Sequence, residues 1–331
     1  MNRRSAALAM LGGIASLRFG ASRADAQQAG RMYRIGYLST PNRASVARGV
    51  DAFVQALAKL GWVEGGNMRI DYRWAEGQVD RLPELAAELV RLKVDVIVAP
   101  ATSAALAAKA ATASIPVVMI FAADPVAMGL VASLQHPGGN VTGTTFAPSR
   151  DIFGKQLQLL KEAVPRASRT AFLWNPADAS SAFQLAAVES AATSLRLPLQ
   201  RVEARGPEDF DKAFAAMAKA RADALVVGAT STYLVHQRRL AELALNGRLP
   251  TMLSYREGVE AGGLMAYAVN MADFVGRSAA YVDKVLKGAK PADLPIEQPT
   301  KFELVINDRT AKALGIALAP SLLQRADEVI Q

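Results

Sequence analysis

The residue types that carry most enzymatic and metal chemistry are scarce in this sequence. It has no cysteine and two histidines, His136 in a Pro-Gly turn and His236 two residues before Arg238. Neither histidine has a partner at metal-ligand spacing, and a structural zinc site needs cysteine or histidine ligands. No nucleophile elbow, phosphate-binding loop or dinucleotide fingerprint is present. The sequence therefore predicts no catalytic residue, no metal and no cofactor, which argues against an enzyme.

Small polar residues instead recur where strand-like segments end. In open parallel sheets, ligands bind outside the carboxyl ends of the strands. Hydroxyl and amide groups can hold a polar ligand there by hydrogen bonds, and the helix N-termini that follow favour a carboxylate. Each residue taken singly also fits a helix cap or a turn, but the recurrence in both halves of the chain favours a shared cleft. We predict ligand contacts from Ser39, Thr40, Thr102, Ser103, Phe121, Ala123, Asp124, Asn175, Thr230, Ser231, Tyr255 and Asn270.

Three of these candidates have a second interpretation. Asp124 precedes Pro125, so it either caps that turn or pairs with a ligand ammonium. Phe121 and Tyr255 fit either core positions or the walls of the cleft, and the walls are favoured.

The segments that would position these residues alternate between the periods of strands and helices. Residues 34–38, 94–99 and 115–121 have strand patterns, and apolar residues at helical spacing separate them. The same rhythm restarts at residue 151. Such alternation is typical of a parallel sheet covered on both faces. The sequence predicts an α/β fold of two doubly wound parallel-sheet lobes joined by a multi-strand hinge.

The less regular C-terminal part indicates that the chain crosses between the lobes three times. Residues 264–269 and the helical pattern up to Gly288 fit a return to the first lobe, and the Pro-rich residues 291–299 then lead back. We expect lobe 1 to comprise residues 32–145 plus 264–290. Lobe 2 would comprise residues 146–263 plus 291–331.

Residues 1–26 have the pattern of an export signal. Asn2-Arg3-Arg4 is positively charged, residues 5–17 are apolar or small, and Ala24-Asp25-Ala26 precedes a cleavage point at Gln27. The apolar run is shorter than the about 20 residues that span a bilayer. An amphipathic N-terminal helix is the alternative, and the pattern does not separate Sec from twin-arginine export. We expect a periplasmic protein without disulfides or a cysteine-linked lipid anchor.

The formal charge of +8 is spread along the sequence. Four arginines and one aspartate fall in the first 26 residues, which leaves +5 for the remainder. The other Lys and Arg residues are dispersed among acids, with no basic stripe interleaved with aromatic residues. We therefore expect no nucleic-acid partner.

Ordered blocks throughout the chain carry a family resemblance. The chain resembles the ABC-transporter substrate-binding protein family that includes tryptophan- and tyrosine-binding members, which has the type I periplasmic-binding-protein fold. The resemblance covers nearly everything after the signal-like segment. The blocks that carry it are residues 35–39 (IGYLS), 61–65 (GWVEG), 72–77 (YRWAEG), 94–98 (VDVIV), 124–126 (DPV), 129–134 (GLVASL), 137–143 (PGGNVTG), 262–265 (GGLM), 299–307 (PTKFELVIN) and 326–330 (ADEVI).

The resemblance implies a monomeric two-lobed clamp that captures a small polar molecule, with an aromatic amino acid favoured. It also implies delivery to a membrane permease driven by a cytoplasmic ATPase. Asp124-Pro125 keeps the family pattern, so a cleft role for that block is implied. Arg43, in the loop after the first strand, could equally select an acidic ligand.

Three other functions are compatible with such an architecture. A regulator's effector domain would need N-terminal DNA-binding helices, where residues 1–31 hold a signal-like segment instead. A two-lobed enzyme such as a glycosyltransferase would need a nucleotide motif. A binding protein that serves a sensor kinase rather than a transporter has no sequence feature that sets it apart.

Overall fold

The computed structural model describes residues 31–147, 151–299 and 301–331 of the 331-residue chain. The signal-like segment, residues 1–26, lies outside these residues. The described chain forms two α/β lobes, each built on its own sheet. The prediction of two lobes with largely parallel sheets is confirmed.

The first lobe has a five-stranded parallel sheet in the order β2-β1-β3-β4-β5. Its strands are β1 (Tyr33–Ser39), β2 (Met68–Trp74), β3 (Val96–Pro100), β4 (Val117–Ala123) and β5 (Val141–Ala147), and its first helices are α1 (Ala47–Lys59), α2 (Leu82–Arg91) and α3 (Ala101–Ala111). A 3-10 turn, Val79–Arg81, precedes α2. Buried apolar clusters lie on both faces of this sheet, which explains why β3 consists of apolar residues throughout.

The second lobe has a seven-stranded sheet in the order β12-β11-β10-β9-β8-β6-β7. Its strands are β6 (Thr170–Trp174), β7 (Leu199–Glu203), β8 (Ala224–Val227), β9 (Thr251–Leu253), β10 (Met265–Ala268), β11 (Glu303–Asn307) and β12 (Glu328–Ile330). β10 and β11 are antiparallel, and the other neighbouring pairs are parallel. Two further apolar clusters cover the two faces of this sheet.

Nine more helices complete the described chain. They are α4 (Asp151–Ala163), α5 (Ser181–Ser194), α6 (Phe210–Lys219), α7 (Ser231–Val235), α8 (Gln237–Asn246), α9 (Arg256–Glu260), α10 (Met271–Leu286), α11 (Asp308–Leu314) and α12 (Pro320–Arg325). Two more 3-10 turns are Pro207–Asp209 and Pro291–Asp293. Helix α10 packs on the first lobe beside α1, and its Ala279 and Val282 are buried in the same cluster as Phe53.

The predicted boundaries of the lobes are wrong at two C-terminal segments. Residues 264–268 were expected in the first lobe, but β10 pairs with β9 and β11 and so belongs to the second sheet. The segment around Ile296 was expected in the second lobe, but its amide donates to Leu134 O at 2.7 Å. Glu297 continues along β5, where its amide donates to Gly143 O at 2.9 Å. These strand-like segments pair by tertiary register, which an apolar pattern alone does not specify.

Three connections therefore join the lobes in the described chain: from β5 to α4, from β10 to α10, and from residue 297 to β11. Three crossings were predicted, and the structure places the C-terminal ones at other positions than predicted. The first and third crossings lie side by side, since the Thr145 amide donates to Glu297 O at 2.9 Å, and lobes joined by several such connections can rotate about them as on a hinge.

Candidate ligand-binding site

A cavity of about 690 Å³ lies between the lobes, at the carboxyl ends of their parallel strands. The first lobe contributes the end of β1, the first turn of α1, the β3–α3 junction and the end of β4. The second lobe contributes the loops after β6, β8 and β9. Polar or charged side chains in its lining are Tyr37, Ser39, Ser45, Arg48, Thr102, Gln156, Asp178, Ser180, Thr230, Ser231, Ser254, Tyr255 and Glu257.

Aromatic and branched apolar side chains form much of the wall. Phe121 lies with its ring centroid 5.0 Å from that of Phe274, and Tyr37 lies 6.0 Å from Phe53. From the second-lobe side, Tyr255 lines the cavity. Such a wall suits a flat apolar group, since aromatic pairs gain from offset or edge contacts beyond the burial of their area.

The backbone is strained at two cavity residues of the first lobe. Ala101 has φ 66° and Phe121 has φ 56°, in the left-handed region that side chains other than glycine rarely adopt. β4 loses its regular register with β5 around Phe121, which turns that ring out of the ladder. Ala101 allows α3 to begin directly after β3. Strain of this kind persists where the surrounding structure demands it, and here it shapes the cavity.

Asp178 supplies a carboxylate to the cavity from the loop after β6. Its Oδ1 accepts the Ser180 amide at 2.9 Å and the Ser180 hydroxyl at 2.7 Å. Burial raises the pKa of Asp178 above its ordinary value, and the hydrogen bonds from Ser180 oppose that shift. Burial likewise raises the pKa of Tyr255, and the negative charge of Asp178 adds to that rise. A cation beside this buried carboxylate would therefore stabilise its ionised form.

Two helices of the first lobe begin at the cavity without a side-chain cap, as do α5 and α9 of the second lobe. α1 follows Val46 and α3 follows Pro100, and neither preceding residue caps the first amide groups. Residues of both first turns line the cavity, among them Ala47 and Thr102. The positive ends of these dipoles favour an anionic group, so the first lobe can hold a carboxylate without a lysine.

A hydrogen bond crosses directly from lobe to lobe beside the cavity. The amide of Ala179, in the second lobe, donates to Ser103 Oγ of α3 at 3.3 Å. The neighbouring Thr102 hydroxyl is used inside the first lobe, where Oγ1 accepts the Ala123 amide at 3.0 Å. The α3 N-terminus thus contacts the same loop that carries Asp178.

Of the twelve residues predicted to contact ligand, six line the cavity and six do not. The structure places Ser39, Thr102, Phe121, Thr230, Ser231 and Tyr255 in the cavity lining, whereas Thr40, Ser103, Ala123, Asp124, Asn175 and Asn270 lie outside it.

Two of the residues outside the lining accept hydrogen bonds from backbone amides of their own loops. Asp124 Oδ1 accepts the Ala127 amide at 3.0 Å, which is the turn-capping alternative. Asn175 Oδ1 accepts the Ala177 amide at 2.9 Å. Their short polar side chains are engaged in local turns, so they do not point a polar group at the cavity.

The sequence reasoning missed Asp178, Ser180 and Gln156, among other lining residues. Asp178 lies three residues beyond the predicted Asn175, so the position of the strand end alone did not identify the acid that reaches the cavity. Gln156 lies on α4, where its side chain donates to Tyr267 O at 3.0 Å. No strand-end rule would have identified a helical glutamine.

Within the residues that the structure describes, no group of three or more His, Asp or Glu side chains is placed to hold a metal ion. In the same part of the chain, no helix is long and apolar enough to cross a membrane.

Comparison with known proteins gives a consistent result. The sequence model of the family described as "ABC transporter substrate binding protein" matches residues 36–330. A curated relative, "Tyrosine-binding protein" from Clostridioides difficile (strain R20291), is 27% identical over 282 residues, which cover 85% of this chain and 81% of that protein.

Three solved structures are similar to the whole two-lobed fold, each covering 90% of this chain and 99% of theirs. A conserved domain protein from Vibrio cholerae is 25% identical with a TM-score of 0.82. The ABC domain from Streptococcus pneumoniae in complex with L-Trp is 27% identical with a TM-score of 0.81. The ligand-free, open structure of a substrate-binding protein with adhesive properties from Clostridium difficile is 25% identical with a TM-score of 0.62.

At nearly equal identity and coverage, the TM-score is 0.81 against the L-Trp complex and 0.62 against the ligand-free, open structure.

Proposed function

The chain belongs to the ABC transporter substrate-binding protein family, and on that premise we propose that it captures an aromatic amino acid between its lobes for import. Members of this family bind substrates outside the cytoplasm rather than transforming them. The names of its relatives, a tyrosine-binding protein and a domain in complex with L-Trp, support an aromatic ligand.

The observation that carries this proposal is the pairing of a buried acid with two helix N-termini across one aromatic cavity. Asp178 supports binding of an ammonium group from the second lobe. The first turns of α1 and α3 support binding of a carboxylate from the first lobe. The ring would lie against Phe121 and Tyr255. The cavity volume of about 690 Å³ falls within the range of about 300–1,000 Å³ usual for small-molecule sites.

This division of labour implies the mechanism of capture. Because the ammonium and the carboxylate are held by different lobes, a bound amino acid adds contacts that exist only when the lobes are closed. The ligand then shifts the hinge equilibrium towards the closed form. A micromolar dissociation constant corresponds to about −8 kcal/mol, which a few charge-assisted hydrogen bonds and apolar contact can supply.

The transport partners follow from the family. We propose that the closed protein delivers its ligand to a membrane permease with a cytoplasmic ATPase, and that it acts as a monomer. We also propose export through residues 1–26 and a periplasmic location.

A thermal-shift titration tests the proposed ligand. The protein is unfolded and refolded to remove co-purified ligand, then titrated with L-Trp, L-Tyr, L-Phe, L-Leu, sugars and small organic acids. A concentration-dependent rise in melting temperature is expected for the aromatic amino acids, as mass action requires.

Three matched analogues sharpen the result. L-Trp, tryptamine and indole-3-propionate differ in the carboxylate and the ammonium only, so L-Trp should stabilise the protein most. Stabilisation by organic acids but not by amino acids would show that the amino-acid assignment is wrong, while leaving solute capture intact. No stabilisation by any class would overturn solute capture itself.

A further inference from the structure

The second lobe carries a strongly basic surface at the end opposite the cavity. Four loops lead into the amino ends of β6, β7, β8 and β9, which are neighbours in the sheet. We call this surface the arginine face; its exposed cations are Arg166, Arg169, Arg196, Lys219, Arg221 and Arg248.

Hydrogen bonds hold these loops side by side. The Thr170 amide donates to Pro198 O at 3.0 Å, and the Asp223 amide donates to Arg169 O at 2.9 Å. The Leu225 amide donates to Pro250 O at 2.9 Å. With about 4.8 Å between neighbouring strands, the cations are gathered along one edge on the order of 15 Å long.

The charges of the arginine face are not neutralised locally. Within the described parts of the chain, Arg166, Arg196, Arg221 and Arg248 take part in no ion pair, and Arg169 donates to a carbonyl, that of Ala220. The acid in these loops is Asp223. Its carboxylate accepts the Ser168 amide, the Ser168 hydroxyl and the Arg169 amide at 2.8–3.0 Å.

The arginine face also accounts for the charge excess of the protein. The formal charge is +8, and four arginines and one aspartate lie before residue 31, which leaves +5. Six cations and one acid on the face likewise leave +5. The face therefore carries a net charge equal to the excess of residues 27–331.

Helix termination alone does not explain why the loops of the arginine face carry cations. Arg196, Arg221 and Arg248 follow helix ends with φ of 52°, 56° and 51°, in the left-handed position where glycine is favoured. In the first lobe, Gly61 and Gly288 occupy such positions after α1 and α10, and Lys93 occupies one after α2. A cation does favour the negative end of a helix dipole, but that benefit requires neither the clustering of six cations nor the shortage of acids.

We propose that the arginine face docks the protein on an anionic phospholipid bilayer. Guanidinium groups pair with phosphate in a bidentate way, and a bilayer presents phosphates in a plane that a sheet edge can contact at several points. Leu245, 37% exposed beside this edge, adds an apolar side chain to the contact. The loops of the face contain no aromatic residue, so they lack the stacking platforms of single-stranded nucleic-acid sites.

Docking through this face leaves the cavity accessible. The cavity lies at the carboxyl ends of the strands and the arginine face at their amino ends, so the two surfaces point in opposite directions. The bilayer contact would hold the protein near its membrane without blocking ligand exchange. It does not depend on which ligand the cavity binds.

Vesicle flotation tests the proposal with matched charge variants. The protein is mixed with phosphatidylglycerol-containing vesicles or with pure phosphatidylcholine vesicles, at low and at high salt. We expect partitioning onto the anionic vesicles that falls with salt. Each cation near an anionic surface contributes about fivefold, so the triple variant R196Q/R221Q/R248Q should partition on the order of 100-fold more weakly. The control triple K59Q/R81Q/R91Q removes three exposed cations of the first lobe and should partition like wild type.

Several outcomes would overturn the proposal. Equal loss in both triple variants would show that net charge, not this face, drives binding. Equal binding to neutral vesicles, or no vesicle binding at all, would exclude an anionic bilayer. Retention on DNA or heparin without vesicle binding would point to a soluble polyanion instead. Melting temperatures of the variants confirm that each is folded.

Discussion

Replacing Asp178 with asparagine tests the proposed division of the ligand between the lobes. The asparagine keeps an oxygen that can accept the Ser180 amide and hydroxyl, so the loop after β6 should hold its shape. What is lost is the negative charge that would pair with the ligand ammonium. A hydrogen bond to a charged group contributes about 1.5–3 kcal/mol, so the affinity for L-Trp or L-Tyr should fall by about 10- to 150-fold.

The ligand-free variant should behave in the opposite way. Because burial raises the pKa of Asp178, keeping its carboxylate ionised in the folded protein costs free energy. The side-chain amide introduced by Asp178→Asn carries no charge to desolvate, so this variant should melt at the wild-type temperature or above it. A loss of affinity without a loss of stability separates a ligand contact from a merely structural role.

Isothermal titration calorimetry with L-Trp and with indole-3-propionate measures both effects. The variant should lose affinity for the amino acid and keep or gain affinity for the analogue without an ammonium. Unchanged affinity for L-Trp, or an equal loss for both compounds, would refute the pairing of Asp178 with the ammonium.

Three further predictions concern closure, pH and the fold. Ser103→Ala removes the acceptor of the Ala179 amide, so the affinity for amino acid should fall by about 2- to 10-fold, and small-angle scattering should show a more open ensemble. Ser133→Ala is the control. Equal affinity and equal scattering for the two variants would contradict the role of this hydrogen bond in closure. Because the pKa of Asp178 is raised, acidification of the wild-type protein should weaken amino-acid binding at a higher pH than is expected for an aspartate of ordinary pKa. Calorimetry of Asp178→Asn should show no such step in affinity with pH. Gly143→Ala places a Cβ 2.1 Å from Met119 O at φ 127°, so it should cost more than about 4 kcal/mol in chemical unfolding; Gly139→Ala, whose Cβ meets no atom within 4 Å, should be nearly neutral.

The alternation of apolar periods was sufficient to predict the two lobes and their parallel sheets. Strands such as β3 and β8 are buried on both faces, so their composition records their environment directly. Six of the twelve predicted residues line the cavity, because parallel strands end at a common edge and Ser39, Thr102 and Thr230 follow that rule.

The rest of the site depended on contacts between distant segments. A strand pattern does not say which sheet a strand joins, and so β10 was assigned to the wrong lobe. Nor does a turn pattern say which acid reaches the cavity. Asp124 is held by the Ala127 amide, whereas Asp178 is carried across the cleft to α3 by its loop.

The distribution of charge shows most clearly what the sequence determines and what only the tertiary structure decides. Along the sequence the arginines at 166, 169, 196, 221 and 248 are separated and mixed with acids, and they indicate an ordinary solvated surface. In the fold, four loops come together at the amino ends of β9, β8, β6 and β7, and those charges form one face. Backbone periodicity is a local property that the amino-acid order determines by itself. Proximity between segments is set by strand order and by the crossings of the chain, and only the tertiary structure decides it.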